Sequence, residues 1–509
     1  MQPRSGSRQG ELFVRSMEPV IRIETTHPLV LLADEVDWTS LLERVESVRR
    51  RRNKSAAGRP PHLRALIGAM LLKATRNMTW RAGEDQIRHY APARYLCGLT
   101  ETDWSPDHTT LHDFAVLLGE EGVALVNEFT VRWAVKEKLA SPTVVVADTT
   151  AQEAAIGHPN EMGLMASFVA SVVLASRRAG RALGSLARRA GKALKAAGKK
   201  VWSYRLKAKD ASKAAKDRMT EEMAKLVGGL NRAVGHALRG TEQGANRLRR
   251  YGKVARRKLS QLHQTMKQLL PQIRSWLRTG FVVPGKIISV HIPQLYSIVR
   301  GKVGKAVEFG LNWGMTQLQG GFVLARRAAD RKELVDTKFV VEAVKDHQAR
   351  FGRAPRAFAY DRGGYSARNV RALKKVGVKQ VGLAPRGRAP SAVDEKTARR
   401  LAKKRALIEG SIGAIKSSRY NFNRPRARSL EMMGTSGQLA VLGFNLNKGA
   451  SRVGRQAKSG PGRVMPKGAS KVATKSRYRF TSKPPSTTTS TPTTTTDVNA
   501  LLNYPTRCS

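Results

Sequence analysis

The amino-acid sequence predicts an α/β protein in which an all-helical N-terminal module precedes a mixed sheet, and a basic helical insertion interrupts that sheet. Three patterns support this: helical periodicity over residues 25–140, a continuous β-branched apolar run at 144–147, and strands alternating with helices after residue 286. Because hairpin strands come first, the sheet should be mixed and not doubly wound. The 509 residues suggest about three domains, at roughly 100–200 residues per domain.

The helical module follows a leader, residues 1–24, that is predicted to be flexible. Within residues 63–76, Leu, Ile and Met recur three and four residues apart, which predicts a helix with one buried face. Ser105 and Pro106 predict the N-cap and first turn of a later helix. We therefore expect a compact helical module over residues 25–140.

A basic helical insertion is predicted over residues 169–280. Residues 171–280 contain 28 Lys and Arg against 5 Asp and Glu, a net charge of +23. Apolar residues at helical spacing predict that part of it packs as a hairpin: Leu226, Leu230, Val234 and Leu238. We interpret Trp202 and Trp276 as core residues in preference to stacking platforms.

The sheet is predicted from strands on both sides of the insertion. The run 144–147 should be a strand that is buried on both faces and ends at Asp148. The later predicted elements are strands 287–290, 306–317 and 321–325, helix 333–351, strand 356–360, helix 366–376, strand 378–383 and helix 395–417. We assign residues 141–168 and 281–448 to one sheet domain.

The C-terminal residues 449–509 change to a basic, Gly- and Ser-rich segment and then to a Thr, Ser and Pro tract. Such a segment cannot bury enough apolar surface to offset its ordering entropy. It is therefore predicted to be a disordered tail.

The charge balance identifies the expected partner, since 92 Lys and Arg against 38 Asp and Glu give a net charge of +54. Nucleic acid is favoured over a membrane surface, because neutralised phosphates release condensed counterions. The longest apolar run, 162–175, is shorter than the roughly 20 residues that span a bilayer. Two cysteines, Cys97 and Cys508, provide neither a disulfide framework nor a Cys-based zinc site. We expect a soluble protein of the cytoplasm that associates with the nucleoid.

Acidic residues close two of the predicted strands: Asp148 follows VVVA and Asp361 follows AFAY. If these strands are neighbours, the two carboxylates lie side by side at the end of the sheet. Glu409 lies on a helix whose apolar neighbours could turn it into the same cleft. Carboxylates so close repel each other unless cations neutralise them. We therefore predict that Asp148, Asp361 and Glu409 hold two Mg²⁺ or Mn²⁺ ions for phosphoryl transfer, although either aspartate alone could be a helix cap or turn residue.

Cationic residues accompany the glutamate in the pattern R-x3-E-x6-K. Arg405 precedes Glu409 by about one helical turn and Lys416 follows it by two, on nearly the same face. These two side chains, together with Arg362 next to Asp361, are predicted to grip DNA phosphates. Solvated helix charges are the alternative for this pattern.

Two histidines, His108 and His112, are four residues apart on the helix predicted after Pro106. This spacing could place two zinc ligands on one helix face. We favour a capped helix whose polar face, including both histidines, contacts DNA.

The chain resembles bacterial insertion-sequence transposases of the Asp-Asp-Glu type, particularly the group with a Tyr-Arg-Glu-Lys signature. The resemblance covers about 25–165 and 285–448. It rests on VVVADTTAQEAAIGHPNEMGL around Asp148, AFAYDRGGYS around Asp361 and RALIEGSIGAIK around Glu409. The N-terminal stretch from GRPPHLRALIGAMLLKATRNMTWRAGEDQIRHY to SPDHTTLHDF is similar to the DNA-end-binding module of that group.

The resemblance implies an RNase-H-like catalytic domain that binds terminal inverted repeats, cleaves at the element ends and transfers strands into target DNA, with a homodimer on paired ends. Two features depart from the group: the signature tyrosine falls at Ala402, and the insertion follows the first strand instead of preceding the glutamate helix. Alternatives are an RNase-H-fold nuclease or resolvase, and a non-catalytic basic nucleic-acid-binding relic. Retention of all three acidic residues disfavours the relic.

Overall fold

The computed structural model describes residues 23–53, 61–100, 102, 104–207, 209–241, 250–302, 305–328, 334–385 and 391–458. The predicted leader up to residue 22 and the predicted tail beyond residue 458 lie outside these ranges. Two compact units make up the chain. The sheet unit comprises Met1–Ala155 and Ser297–Gly454, and the helical unit comprises Ile156–Tyr296 and Arg455–Ser509.

Helices form the N-terminal part of the sheet unit: α1 Pro28–Glu35, α2 Trp38–Arg52, α3 Leu63–Arg76, α4 Trp80–His89, α5 Ala91–Cys97 and α6 His108–Lys136. The bounds predicted for α3 are confirmed. The imidazole of His62 accepts a hydrogen bond from the Ala65 N–H at its start, and Asn77 ends it in the left-handed conformation.

The predicted start of α6 is wrong by two residues. Its N-cap is Asp107, whose carboxylate accepts hydrogen bonds from the N–H groups of Thr109 and Thr110, both at 2.8 Å. An aspartate that satisfies two free N–H groups is a stronger cap than a serine one turn away from them. Ser105 and Pro106 therefore precede the helix.

The helical unit contains α7 Glu161–Arg178, a 3₁₀ turn Gly180–Leu183, α8 Gly184–Lys207, α9 Lys213–Gly240 and α10 Arg250–Thr279. Its core includes Leu230, Val234 and Leu238, and Leu226 packs against that core, which confirms the predicted packing of this stretch. Trp202 is 66% exposed, so its interpretation as a core residue is wrong. Trp276 is partly buried.

The sheet contains β1 Ser141–Glu153, β2 Tyr296–Lys302, β3 Lys305–Gln319, β4 Val323–Arg327, β5 Ala357–Tyr360 and β6 Gln380–Leu383. The remaining helices are α11 Asp336–Phe351, α12 Ala367–Lys375, α13 Glu395–Lys416 and α14 Leu430–Lys458. The strand order is β2-β3-β1-β5-β6, with β4 also paired to β3. β3 is antiparallel to β1 and β4, whereas β1, β5 and β6 are parallel. The predicted mixed α/β architecture is confirmed.

Two predicted strand positions are wrong. β1 does not end at Asp148, because pairing with β3 continues from Asp148 opposite Met315 to Glu153 opposite Gly310. Residues 287–290 are not a strand. The backbone N–H of Ile287 donates to the side chain of Gln272 on α10, 3.0 Å away, and Ile287 joins the helical core.

Layers of apolar side chains cover both faces of the sheet, and β1 contributes alternate residues to each. Val146 lies in the cluster with Leu401 and Ile408 of α13. Val145 lies in the cluster with Phe339 and Val340 of α11. Residues of β1 with even numbers near position 148 therefore face α13, and those with odd numbers face α11.

The N-terminal helices share a core with the last helix of the sheet unit, since Leu442 and Leu446 of α14 pack among them. This helix continues through Lys458, past the predicted start of the tail. In the described part of the chain, no helix combines the length and apolar character needed to cross a membrane.

Candidate active site

Asp148 and Asp361 are brought together by the parallel pairing of β1 with β5. Val144 lies opposite Ala357 and Val146 lies opposite Ala359. The same register, carried two residues further, places Asp148 alongside Asp361. Both side chains belong to the face of the sheet that α13 covers.

Burial dominates the electrostatics of Asp148. It raises the pKa of the carboxyl to about 6, and the negative charges of Asp361 and Asp336 contribute in the same direction. The N–H of Thr149, 2.7 Å from Oδ1, and the charge of Arg405 act to lower this pKa. The carboxyl of Asp148 is therefore largely removed from water and lies close to two other acidic groups.

Asp361 is exposed and begins the 3₁₀ turn Arg362–Gly364. Its Oδ1 accepts a hydrogen bond from the Arg362 N–H at 2.5 Å. Arg362 is itself exposed, next to the aspartate pair. The turn leaves the second carboxylate oxygen of Asp361 without a backbone donor among the described residues.

Glu409 does not join the two aspartates. Its Oε1 accepts a hydrogen bond from Arg405 Nη1 at 2.7 Å, and its side chain is 55% exposed. α13 turns Ile408 and Ile412 toward the sheet, which places Glu409 on the flank of the helix. Across the described ranges, no three His, Cys, Asp or Glu side chains form a group that could hold a metal ion.

Lys416 lies next to the strand of Asp148. Its Nζ is 3.4 Å from Oγ1 of Thr150, two residues beyond Asp148 on the same face of β1. Arg405 and Lys416 thus occupy the two ends of the α13 segment that crosses the aspartate pair.

An open cleft of about 360 Å³ lies between the ends of β5 and β6 and the first half of α13. Its lining includes Asp361, Arg362 and Arg405. Ala402, at the position of the signature tyrosine, also lines it and supplies no aromatic ring. The cleft therefore opens directly onto one of the two aspartates.

Asp336 is a third acidic residue of the site that sequence reasoning missed. As the first residue of α11, it accepts hydrogen bonds on Oδ1 from Oγ1 of Thr149 and from the hydroxyl of Tyr360, both at 2.9 Å. Burial, and then Asp336, raise the pKa of Tyr360 far above its ordinary value. Asp336 therefore binds the residue after Asp148 and the residue before Asp361. In the sequence it reads only as an acid in the first turn of a helix, where acids are common.

The two histidines of α6 differ in their surroundings. Glu84 of α4 accepts hydrogen bonds from the backbone N–H of His108 at 3.0 Å and from its Nδ1 at 2.7 Å. His112 is exposed beside Asp113, with 3.4 Å between Nδ1 and Oδ1. His108 therefore ties α6 to α4, whereas His112 lies on the exposed surface of α6.

A comparison with known protein families finds a match in the N-terminal part of the chain. Residues 19–116 match the family model described as Transposase domain (DUF772). The matched segment contains α1 to α5 and the start of α6, and it ends before β1. No curated protein and no solved structure matches the chain significantly. The family model covers 98 of the 509 residues, all of them in the N-terminal helical part.

Proposed function

We propose that this chain is a DNA transposase of the Asp-Asp-Glu type, encoded by an insertion sequence. The observation that carries the proposal is the proximity of Asp148 and Asp361, each two residues beyond the last parallel pair of β1 and β5, in a chain whose residues 19–116 match a transposase domain. An RNase-H-like fold for the catalytic domain is supported by the antiparallel pairing of β1, β3 and β4 and by the parallel pairing of β5 and β6 with β1.

Asp148 and Asp361 fit the ligand chemistry of Mg²⁺ or Mn²⁺. These ions prefer oxygen ligands, and the raised pKa of Asp148 reflects a site where a cation would relieve burial and repulsion. Glu409 would complete the set of metal ligands after its hydrogen bond to Arg405 breaks and its side chain turns into the cleft. Two bound ions would activate the attacking oxygen and neutralise the leaving one in an in-line phosphoryl displacement.

Cationic residues would hold the DNA around the aspartates. Arg405 already lowers the pKa of Asp148, which means that its charge reaches the pair. Lys416 beside Thr150 and exposed Arg362 beside Asp361 would bind the flanking phosphates, since Lys and Arg donate hydrogen bonds to phosphate oxygens. These groups orient the scissile strand before any bond breaks.

The remaining parts of the chain would supply DNA recognition. The helical module over 25–140 would read the terminal inverted repeats, because base contacts and not phosphate contacts give specificity. The basic helical unit would add affinity for any sequence. Both ends of an element must be processed, so we propose a homodimer on paired ends, acting on DNA in the nucleoid.

A non-catalytic DNA-binding protein is the second candidate, and the pairing of Glu409 with Arg405 on an exposed helix flank favours it. Conservative substitutions separate the two candidates. Asp148→Asn, Asp361→Asn and Glu409→Gln keep side-chain volume and remove the charge that the cations require.

The substrate for this test is a supercoiled plasmid that carries the coding region with its native flanking DNA. With Mg²⁺, we expect the unaltered protein to cut at the flanks and join them to a second plasmid, and each variant to lose at least a hundredfold in both steps. Asp394→Asn, which keeps the cap of α13, is the matched control and should remain active. Cutting without joining would identify a nuclease or resolvase. Near-normal joining by any of the three variants would remove that residue from the catalytic set.

A further inference from the structure

The segment that links α13 to α14, residues 417–429, is attached to the strand that carries Asp148. We call it the arginine loop. The backbone N–H of Arg424 donates to the Glu153 carbonyl oxygen at 2.8 Å, and Arg424 Nε lies 3.2 Å from Oε2 of the same residue. The Glu153 N–H donates to Oδ1 of Asn423 at 3.3 Å. The end of β1 is thus bound on both backbone and side chain.

Buried aromatic packing and backbone conformation also hold the arginine loop in place. Phe422 is fully buried and meets the ring of Trp313 edge to face, with 5.5 Å between centroids. Asn421 and Arg424 adopt left-handed backbone conformations, with φ of 56° and 52°. Asparagine adopts this conformation readily, whereas for arginine it is uncommon and is kept where the surrounding contacts determine it. The loop therefore presents its outward side chains from a defined position.

Three arginines of this loop are exposed and have no acidic partner among the described residues: Arg419, Arg426 and Arg428. Arg419 lies over the ring of Tyr420 at 5.6 Å. The neighbouring acids are occupied elsewhere, since Glu153 binds Arg424 and Glu431 binds Arg52 at 2.8 Å. A fixed loop that exposes unneutralised arginines in a chain of net charge +54 is stabilised when a polyanion binds.

The position of the loop relates it to the candidate active site. Thr150, which Lys416 contacts, is two residues beyond Asp148, and Glu153 is five residues beyond it. At about 3.4 Å per strand residue, these are about 7 Å and about 17 Å along β1. Arg426 and Arg428 follow directly after the second of these contacts, whereas Arg419 lies between the two.

We propose that Arg426 and Arg428 form a binding surface for the phosphodiester backbone of duplex DNA, on one flank of the phosphate that reacts at Asp148 and Asp361. The guanidinium group suits this role because it donates paired hydrogen bonds to phosphate oxygens and stays charged. At about 3.4 Å per nucleotide of one strand, the loop meets the DNA roughly five nucleotides from the reacting phosphate. The assignment of the reacting phosphate rests on the proposed function, whereas the DNA contact does not.

The test compares two double variants of the full chain. Arg426→Gln with Arg428→Gln removes the proposed contact. Arg353→Gln with Arg356→Gln is the matched control, because these arginines are also exposed, have no acidic partner among the described residues and precede β5 at the opposite end of the sheet. Binding to a fluorescent duplex is measured in EDTA over a range of salt concentrations, and equal thermal midpoints show that both variants are folded.

We expect the logarithmic salt slope of the Arg426/Arg428 variant to be smaller than that of the unaltered protein by about 1.8, at about 0.9 for each lost phosphate contact. Between 50 and 200 mM salt, the unaltered protein then loses about tenfold more affinity than the variant. The control should keep the original slope. Equal slopes for the unaltered protein and the Arg426/Arg428 variant, or an equal decrease in the control, would overturn the surface.

DNA cleavage and DNA binding are measured separately, so the proposed surface and the proposed function can fail independently. If the unaltered protein cuts and joins DNA but the slopes are equal, the surface is wrong and the proposed function stands. If the expected slope difference is found and no cutting occurs, the surface stands and the proposed function is wrong.

Discussion

At the scale of single residues, Asp148 carries its charge where water is largely excluded and Asp361 and Asp336 are close. Its pKa is about 6 in the folded chain, against 3.8 ordinarily. A carboxyl with a raised folded pKa stabilises the fold below its unfolded pKa, and this contribution is lost as the pH rises through the folded pKa. Between about pH 4 and pH 6, the metal-free fold should therefore lose up to about 3 kcal/mol, at about 1.4 kcal/mol per pKa unit.

Asp148→Asn should remove this loss. We expect the variant to melt at a higher temperature than the unaltered protein at pH 8 in EDTA, and the difference to shrink at pH 4. Mn²⁺ should raise the melting temperature of the unaltered protein at pH 8 and leave that of the variant unchanged, because ligand binding to the folded state stabilises it. Thermal melts at the two pH values measure both effects. A variant that is less stable than the unaltered protein by the same amount at both pH values would contradict the prediction.

Asp336 is expected to position the aspartate pair. Asp336→Ala removes the charged acceptor of Thr149 and of Tyr360, and a hydrogen bond to a charged group contributes about 1.5–3 kcal/mol. We expect a stability loss of about 2–4 kcal/mol and a decrease in DNA cleavage of tenfold or more. Asp336→Asn keeps an oxygen acceptor and removes a negative charge near Asp148. It should retain cleavage, with the acidic limb of its pH profile moved to lower pH, since the pKa of Asp148 then falls. A pH profile that does not move would assign Asp336 a structural role only.

At the scale of elements, α6 separates a structural histidine from an accessible one. His108→Ala removes the Nδ1 bond to Glu84 and should lower the melting temperature by loosening α6 from α4. His112→Ala should leave the melting temperature unchanged and reduce the preference for the element's terminal DNA over random duplex several-fold, because base contacts carry specificity. Competition binding by the full chain, with the native flanking DNA against random duplex, measures that preference. An unchanged preference would place end recognition away from this helix face.

The sequence predicts best those elements whose apolar residues are buried in the way that their spacing indicates. α3 has the predicted bounds because its apolar residues, His62 cap and Asn77 stop agree. β1 continues beyond the predicted end because Thr149, Thr150 and Gln152 pair with β3. These residues are polar, so the apolar pattern in the sequence does not include them. The apolar run 287–290 is buried by α10 and not by a sheet, and periodicity cannot tell these two kinds of burial apart.

The candidate site also contains residues whose positions the sequence predicts and residues whose positions it does not. The aspartate pair is predictable because each acid follows an apolar strand, and parallel strands bring such positions to one edge. Asp336 reaches the site because of where α11 packs in the fold, and no local sequence pattern indicates this position. The orientation of Glu409 depends on the rotation of α13 about its axis. Burial of Ile408 and Ile412 sets this rotation in the fold, and the sequence leaves it open within about one residue position.

At the scale of the whole molecule, positive charge is abundant, and part of it lies in a row along one helix. α8 of the helical unit buries small and apolar residues along one face: Leu186, Ala190, Ala193, Ala197 and Val201. Its exposed face carries cations at spacings of three and four residues: Arg188, Lys192, Lys195 and Lys199. No acidic residue occurs in this helix. The four cations therefore form one continuous stripe, which we call the α8 stripe.

Neutralising the α8 stripe tests whether the helical unit binds DNA. Replacing its four cations with Gln leaves the buried face of α8 intact, so the fold should be retained. If every stripe residue contacts a phosphate, the logarithmic salt slope for duplex binding should decrease by about 3.6, at about 0.9 per contact. A matched variant with Arg188→Lys and the three lysines changed to Arg keeps the charge and should keep the slope, because counterion release depends on charge and not on the identity of the cation. A slope that is unchanged after neutralisation would show that the helical unit does not touch DNA through α8, and a decrease in the charge-preserving variant would show that the effect does not come from charge.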